Sequence, residues 1–410
     1  MRIAMIASTD AYWTPLYARH FAAAGHEVRV LSLTPHPLAA PDIDLVHVCG
    51  EAPARVPHAL WFLAQVPRVR RMVRRYAPDV VFATYMSSNG MVAALAWRGP
   101  LVVSGHGGDV LRQAGYLPGG AWLHRHMMRL QCARADAVHV VSDELVEALE
   151  AYGISRERIA RFPLGVEVEQ FESGEQALAA GVPHVICTRR QEPVYANDVI
   201  VDALAILRHR GCDVRCTFVG GGPLLEERRA QVSAHGLADR VSFTGQVPFE
   251  TVRALLRTAH VYVSASTSDG TSSSLLEALL CGAFPVVSRI RANEPWIRDG
   301  VTGLAFEVGD AAGLATALER AIREPALRAA AAGSNRELVM REGDLRLSMQ
   351  RTLALLHHAR HAGAARGAQG SDRSSRTSKK GPVTGGGGVT RPTVAGAASD
   401  RIGISTAPPS

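Results

Sequence analysis

The sequence predicts an α/β protein of two doubly wound, Rossmann-like parallel-sheet domains facing a central cleft, followed by a disordered tail. Three observations carry this expectation. Short β-rich runs alternate with helix-period segments from residue 2 to about residue 165, and the same alternation restarts after Gly181. Strands separated by helices run parallel and are covered on both faces. Residues 361–410 contain no Leu, Phe, Trp or Tyr but ten Gly. Such a stretch cannot bury enough apolar surface to offset its ordering entropy. The other ~360 residues suit roughly two domains of 100–200 residues each.

In the first half, strands are expected at 2–7, 27–33, 44–48, 80–84, 101–104 and 137–141. Helices are expected at 15–24, 57–76 and 143–152, with Pro67 kinking or splitting the second. The uncharged run 80–97 is interrupted by Ser87-Ser88-Asn89-Gly90. It reads as strand, turn and helix rather than a membrane span. The pattern pauses at Phe162-Pro163-Leu164-Gly165 and an acidic stretch through Glu175. The second series of strands is expected at 184–188, 214–219, 240–243, 260–263, 285–288 and 303–306. Its helices are expected at 198–209, 224–235, 251–258, 274–281 and 311–322. The organisation is therefore a first domain at 1–165, a linker at 166–182, a second domain at 183–343, a helix at 344–360 and a tail at 361–410.

Charge narrows the function classes. The net charge is +7, but Arg366, Arg373, Arg376, Lys379, Lys380, Arg391 and Arg401 face only Asp372 and Asp400 in the tail. The tail thus holds +5, and the excess left for the two domains is +2. A strongly basic nucleic-acid-binding core is excluded, and no nucleic-acid partner is expected. The only two Lys lie in the tail, so no chemistry in the domains uses a Lys. Six Cys stand singly in apolar stretches without zinc-ligand spacing, as suits reduced, mostly buried thiols in a cytoplasmic protein. The apolar run at 3–7 is too short for a signal peptide. Arg68, Arg70, Arg71, Arg74 and Arg75 interleave with apolar residues over 61–76. That pattern fits a helix packed on the sheet with a charged outer face, and also peripheral contact with an anionic membrane.

The segment richest in chemistry is Ser268-Asp269-Gly270-Thr271-Ser272-Ser273-Ser274-Leu275-Leu276-Glu277. It follows an expected strand and opens an expected helix. Gly270, Thr271, Ser272 and Ser273 let backbone N–H groups converge on an anion at the positive end of the helix dipole. A diphosphate suits that place, and Asp269 and Glu277 can accept hydrogen bonds from sugar and ribose hydroxyls. A turn at Asp-Gly and a capping box from Ser274 to Glu277 explain the same residues structurally.

Downstream stand Cys281-Gly282-Ala283-Phe284-Pro285-Val286-Val287, Ala292-Asn293-Glu294-Pro295-Trp296-Ile297 and Asp299-Gly300-Val301-Thr302-Gly303-Leu304. This order resembles the donor-binding half of retaining glycosyltransferases of family 4, the group 1 family of the GT-B fold. Those enzymes carry Glu-x7-Glu, then EAMACG-PVV, then an ExIxxGxxGxLV-like run. The resemblance implies that Glu277 binds the nucleotide's ribose and that Asp269, a methylene shorter than the family's Glu, holds donor-sugar hydroxyls. Phe218-Val219-Gly220-Gly221-Gly222-Pro223 resembles the family's VGxGP. Val241-Ser242-Phe243-Thr244-Gly245 resembles its VxFxG, which implies that Val241 and Phe243 lie near the base. Thr188-Arg189-Arg190-Gln191 resembles the start of its GRxxxxKG loop, so Arg189 and Arg190 are the candidate diphosphate ligands. The family's Lys is missing, and Tyr195 falls near its place.

In the first domain Ser104-Gly105-His106-Gly107-Gly108-Asp109 resembles the family's HG-x-D segment. It implies an active-site role for His106, donating to developing charge or positioning a sugar hydroxyl; read from the residues alone the segment is a loop His, and on either reading Asp109 is the next helix's N-cap. After the first strand the family's glycine-rich loop is replaced by Ser8-Thr9-Asp10-Ala11-Tyr12-Trp13. Ser8, Asp10, Tyr12 and Trp13 are acceptor-side candidates, although the two aromatic rings also suit packing between helices.

The expectation is a retaining glycosyltransferase taking sugar from a UDP- or GDP-linked donor, without a metal or other cofactor. The acceptor is a hydroxyl of a glycan, a lipid-linked molecule or a small molecule, as in polysaccharide biosynthesis. His106, Asp269 and Arg189 are the expected catalytic residues. A nucleotide-sugar epimerase of similar fold and a non-catalytic GT-B binding protein are the alternatives.

Overall fold

A computed structural model of the protein describes residues 1–38, 40–50, 58–111, 120–172 and 182–377. The first domain opens with β1 (Arg2–Ala7), α1 (Trp13–Ala23), β2 (Glu27–Ser32) and β3 (Asp44–His47). Then come α2 (His58–Ala64), α3 (Val66–Tyr76), β4 (Val80–Thr84), α4 (Met91–Ala96), β5 (Leu101–Gly105) and α5 (Gly108–Leu111). It closes with α6 (Gly120–Arg134), β6 (Ala137–Val140), α7 (Asp143–Ala151) and β7 (Ile159–Arg161). The strands form one parallel sheet in the order β3-β2-β1-β4-β5-β6-β7. Strands β4 and β5 are buried along their whole length, which explains their continuous apolar runs.

The second domain begins with β8 (His184–Cys187), α8 (Asn197–His209), β9 (Arg215–Val219), α9 (Leu225–Ala234) and β10 (Val241–Gly245). It continues with α10 (Phe249–Thr258), β11 (Val261–Ser264), α11 (Ser273–Cys281), β12 (Phe284–Ser288) and β13 (Leu304–Phe306). Helices α12 (Ala311–Arg323) and α13 (Pro325–Glu342) follow, and α14 (Leu345–Thr377) ends the described chain. The parallel order is β10-β9-β8-β11-β12-β13. The expected strands and most expected helices are present, shifted by a residue or two at their ends. Strand β7 and helices α6 and α13 are additional to those read from the sequence.

Three local expectations change. The helix read at 57–76 is two helices broken at Gln65, with Pro67 in the first turn of α3. Proline is tolerated there because its missing N–H would have no intrahelical partner anyway. Helix α11 is capped by Ser272, whose Oγ accepts from the Leu275 N–H at 3.2 Å. The capping box from Ser274 to Glu277 is therefore not formed, and Glu277 is left for other work. Finally, the helix expected to stop at residue 360 continues to Thr377. The rest of the expected tail, 378–410, lies outside the described residues, as do residues 173–181 of the expected linker.

Helix α14 packs on the first sheet. Leu345, Met349, Leu355, Leu356 and Ala359 are buried in that domain's core. Burying a Leu side chain is worth roughly 1.5–3 kcal/mol, so this face holds the helix there. The chain crosses between the domains twice, and the crossings touch. The Val166 N–H donates to the Gly343 carbonyl at 2.8 Å, and the Leu345 N–H donates to the Val166 carbonyl at 2.9 Å. Gly165 stands at φ +84, and a Cβ there would lie 2.7 Å from the Leu345 nitrogen. Only glycine fits both the conformation and the gap.

In each sheet the strand order reverses between two neighbours, β1 and β4 in the first, β8 and β11 in the second. Ligands of such sheets bind outside the carboxyl ends at this switch point. Four loops thus become the focus: those after β1, β4, β8 and β11.

Candidate active site

The loops after β8 and β11 bring Arg189 against the serine-rich turn, although 80 residues separate them. Arg189 Nη2 donates to Asp269 Oδ2 at 2.6 Å, and Nη1 donates to Ser272 Oγ at 2.8 Å and Ser274 Oγ at 3.0 Å. The guanidinium lies 4.1 Å over the Tyr195 ring. Tyr262 adds a hydroxyl 3.0 Å from Ser274 Oγ. Burial alone would lower the Arg189 pKa, but Asp269, with Tyr262, Tyr195 and Cys187 adding to it, raises it on balance. The result is a preoriented cation at the mouth of helix α11. Ser272 accepts from the Leu275 and Leu276 N–H groups, and the N–H groups of Ser273 and Ser274, which precede them, point to the same place without intrahelical acceptors. Tyr195, which falls where the family's Lys is expected, serves as a platform for Arg189.

Gly221 and Gly222 follow β9 and pack on the backbone of the Arg189 loop. The Gln191 N–H donates to the Gly221 carbonyl at 3.0 Å. A Cβ on Gly222 would lie 2.4 Å from the Gln191 carbonyl oxygen. These glycines set the height of the Arg189 loop.

Glu277 lies one turn into α11. It stands in reach of the Arg189 charge, and its own charge helps keep the Tyr12 hydroxyl protonated. Burial pushes its carboxyl up to about 8, with Arg189 opposing. A carboxyl raised in the folded state stabilises the fold fully below its ordinary value near 4.5 and loses that contribution as pH climbs to about 8. The melting temperature of the unliganded protein is therefore expected to fall over this window, and Glu277→Gln should remove that part of the slope. Parallel melting curves for the two proteins across pH 5 to 8.5 would refute the burial of this carboxyl.

From the first domain, His106 follows β5. Its Nε2 lies 2.8 Å from Ser104 Oγ, and its ring meets the Tyr85 ring at 4.6 Å between centroids. Burial lowers its pKa to about 4. Asp109 is not the N-cap expected of it. It sits within α5, where Oδ1 accepts from the His106 and Gly107 N–H groups and Oδ2 from that of Met86, at 2.8–2.9 Å. Asp109 thereby ties the β5 loop to a π-helical turn at Met86–Gly90 after β4. Tyr85, just before that turn, has φ +64. A bulky residue in this region stores strain of about 1–3 kcal/mol and marks a constrained site. No sequence signal singled it out.

The two halves touch at Gly270. A Cβ there would lie 2.5 Å from the His106 carbonyl oxygen and 2.6 Å from a Val141 methyl. Beside it, Thr271 Oγ1 donates to the Val141 carbonyl at 2.8 Å. Arg291 and Glu147 pair across the cleft through two 2.6 Å bonds. His106, Gly270, Asp269 and Arg189 therefore form one continuous wall.

The loop after β1 divides its residues. Tyr12 is half exposed, and its hydroxyl donates to Glu167 Oε2 at 3.2 Å, while Trp13 packs on the first domain's core. Ser8 Oγ accepts from Asn89 Nδ2 at 3.3 Å, and Asp10 is exposed. Of the acceptor-side candidates, Ser8, Asp10 and Tyr12 lie at the cleft edge, and Trp13 has a packing role.

Two donor-side candidates are placed elsewhere, and a third stands in solvent. Val241 is the first residue of β10 and lines a groove with His184 and Arg215 at the amino ends of the strands, the wrong edge for a ligand. Phe243 is mid-strand, stacked on Phe218 at 4.9 Å. Arg190 follows Arg189 in the loop after β8, with its side chain 64% exposed and paired with Glu192 at 2.8 Å. Strand direction decides the first two, whereas Arg190 lies in the loop beyond the carboxyl end of β8. Adjacent positions on an extended chain point to opposite faces, and only the carboxyl end of a parallel strand reaches the crevice. Among the described residues no group of three or more His, Cys, Asp or Glu side chains could hold a metal ion.

Comparison with known proteins agrees with this architecture. The family model described as Glycosyl transferases group 1 matches residues 177–324, and that described as Glycosyltransferase Family 4 matches residues 16–170. The D-inositol 3-phosphate glycosyltransferase of Acidothermus cellulolyticus is 29% identical over 76% of this chain and 77% of its own length. A GDP-mannose-dependent alpha-(1-6)-phosphatidylinositol monomannoside mannosyltransferase of Mycolicibacterium smegmatis is 28% identical over 65% of this chain and 72% of its own. Among solved structures, a sucrose-phosphate synthase from Thermosynechococcus elongatus superposes with a TM-score of 0.76 at 20% identity, covering 88% of this chain and 100% of that one. The Anabaena protein HepE, in complex with UDP, superposes with a TM-score of 0.72 at 18% identity, covering 87% and 100%.

Proposed function

Because the chain belongs to the group 1, family 4 glycosyltransferases, we propose that it transfers a sugar from a nucleoside diphosphate donor to a polyol or glycan hydroxyl with retention of configuration. The chain is a glycosyltransferase of GT-B fold, and no observation favours an epimerase or a non-catalytic binding protein. The observation that carries the donor reading is Arg189, held by Asp269, Ser272 and Ser274 at the mouth of α11.

In this reading the diphosphate lies on the first turn of α11 and takes its charge balance from Arg189, whose fork matches phosphate oxygens. Glu277 accepts from the ribose hydroxyls, and Asp269 and His106 hold the sugar from opposite sides. Departure of the diphosphate is assisted by donors already in place, which costs no reorganisation. The acceptor hydroxyl attacks from the face the diphosphate leaves and passes its proton to the departing phosphate oxygen, while the contact at Gly270 keeps water out. The chain's own residues supply this chemistry without a metal.

The acceptor proposed is an inositol-type polyol, free or lipid-linked. The similarity to inositol-phosphate and phosphatidylinositol glycosyltransferases supports it. A cytoplasmic, peripheral membrane position is proposed with it. Arg68, Arg71, Arg74 and Arg75 are exposed on α3, and Leu60 and Trp122 are exposed apolar residues of the same domain. Among the described residues no helix is long and apolar enough to cross a membrane.

The test begins with thermal shifts against UDP, GDP and their sugars, since a ligand of the native state raises the melting temperature. The stabilising donor is then incubated with inositol phosphate or phosphatidylinositol vesicles, and the anomeric configuration of the product is read by NMR. A β-linked product from an α-linked donor would refute retention. The absence of a shift with any nucleotide would refute the donor site.

A further inference from the structure

His106 has two ring nitrogens, and only one of them carries the proton in the neutral imidazole. Which one it is decides whether this residue can donate to developing charge or can only accept. The structure contains the information, because the imidazole stands at one end of a chain of hydrogen bonds whose other end can only accept.

That chain crosses three adjacent strands. Ser104 and His139 face each other in the register of β5 and β6. Ser104 Oγ lies 2.7 Å from His139 Nδ1 and 2.8 Å from His106 Nε2. His139 Nε2 lies 2.9 Å from the carbonyl oxygen of Phe162, which follows β7. The His139 ring also stacks on the Phe162 ring at 4.0 Å. Ser104 and His139 are completely buried.

The proton positions follow from donor and acceptor capacity. A carbonyl oxygen only accepts, so His139 Nε2 carries hydrogen. Neither ring has a carboxylate among its hydrogen-bond partners, and burial favours both rings neutral, lowering His139 to about 3 and His106 to about 4. A neutral His139 then offers a lone pair at Nδ1, and the Ser104 hydroxyl must donate to it. With its single hydrogen committed, Ser104 Oγ accepts from His106 Nε2. The remaining nitrogen, His106 Nδ1, is left as a lone pair, and it is buried without a partner in the protein.

We propose that Ser104 and His139 are positioning residues that lock His106 in the neutral Nε2–H tautomer, so that its Nδ1 accepts a hydrogen bond from a hydroxyl of the bound sugar. The contact with sugar rests on the donor reading above; the tautomer does not. The relay moves no proton. It removes the option of an imidazole that donates to the departing phosphate, and makes the site select for a hydroxyl donor at this position. A deoxy or fluoro sugar at that carbon leaves the buried lone pair unpaired, which a polar site penalises far more than a lost contact in water.

The experiment is a long-range ¹H–¹⁵N correlation spectrum of the full-length protein labelled at the histidine rings, with His106 and His139 assigned by His106→Gln and His139→Gln. The expected result is a pyridine-type Nδ1 and a pyrrole-type Nε2 on His106 at neutral pH, with the Nδ1 signal moving when the stabilising nucleotide sugar is added. Ser104→Ala should mix the tautomers and lower kcat by about tenfold to a hundredfold while the dissociation constant for the bare nucleotide stays within twofold. Ser104→Thr should restore both. His139→Gln keeps an amide donor for Phe162 and a carbonyl acceptor for Ser104, and should keep the tautomer. A protonated Nδ1 on His106 in the unaltered protein, or an unchanged tautomer in Ser104→Ala, would overturn the relay. A correct tautomer whose Nδ1 signal no donor sugar moves would overturn the sugar contact alone, and with it the placement of His106 at the donor.

Discussion

Replacing Arg189 by Ala is expected to lower kcat/KM by about 10²–10³-fold, the usual cost of removing a preorganised donor from a leaving group. The geometry gives the reason. Arg189 is the cation bound directly to both Ser272 and Ser274 at the start of α11, and the domains contain no Lys to substitute for it. The change also strands Asp269, whose carboxylate pairs with Arg189 at 2.6 Å while both side chains are less than a fifth exposed. Removing one partner of such a pair destabilises by roughly 3 kcal/mol, because the other charge stays buried. The two effects separate. The double change Arg189→Ala with Asp269→Ala should regain much of the melting temperature and none of the turnover. Arg189→Lys should fall between, since an ammonium cannot fork to Asp269 and the serines at once. Steady-state kinetics and thermal melts of the three variants check this. Turnover within a few-fold of normal in Arg189→Ala would remove Arg189 from the site.

Replacing Gly270 by Ala is expected to lower kcat by about 10²-fold with little change in the affinity for nucleotide. The added methyl would overlap the backbone oxygen of His106 and a methyl of Val141, and a backbone oxygen cannot swing aside as a flexible side chain can. The loop after β11 must then stand back from the first domain. Each domain keeps its own core, so folding and the α11 anion site persist, but His106 and Asp269 no longer face the same sugar. A misplacement of about 1 Å in a reacting geometry has this order of effect. Kinetics, nucleotide titration and small-angle scattering together test it, with a larger radius of gyration expected for the variant in the presence of nucleotide. An enzyme that turns over normally with Ala at 270 would show that the domains react in a more open arrangement.

Several site features were legible in the residues because their chemistry is local. The glycine and serines of 270–274 sit between a strand and a helix in sequence as they do in space. The spacing of Glu277 from Asp269 and the family resemblance both mark Glu277, and the structure places both carboxylates beside Arg189. The same resemblance points to Val241, Phe243 and Arg190, of which the first two pack on the second domain's core and the third stands in solvent paired with Glu192. A motif fixes a segment, but the direction and face of the strand fix which of its side chains reach the crevice. Asp109 was read as a cap from its place before a helix, whereas its three N–H partners include Met86, 23 residues away. The strained Tyr85 and the pairing of Ser104 with His139, 35 residues apart, had no local signal.

Thus the sequence by itself determined the two parallel sheets, the absence of a usable Lys, the serine-rich turn that opens α11, and the arginine after β8. Those follow from periodicity, composition and short-range turn chemistry, which act within about ten residues. Only the tertiary structure decided which of the candidates meet. Sheet order put the loops after β8 and β11 at one switch point, and strand register put Ser104 opposite His139. The approach of Gly270 to His106 closed the two domains on a common wall. Each of those contacts joins residues distant in the chain, and the burial that shifts Glu277 and His106 exists only once both sheets have packed.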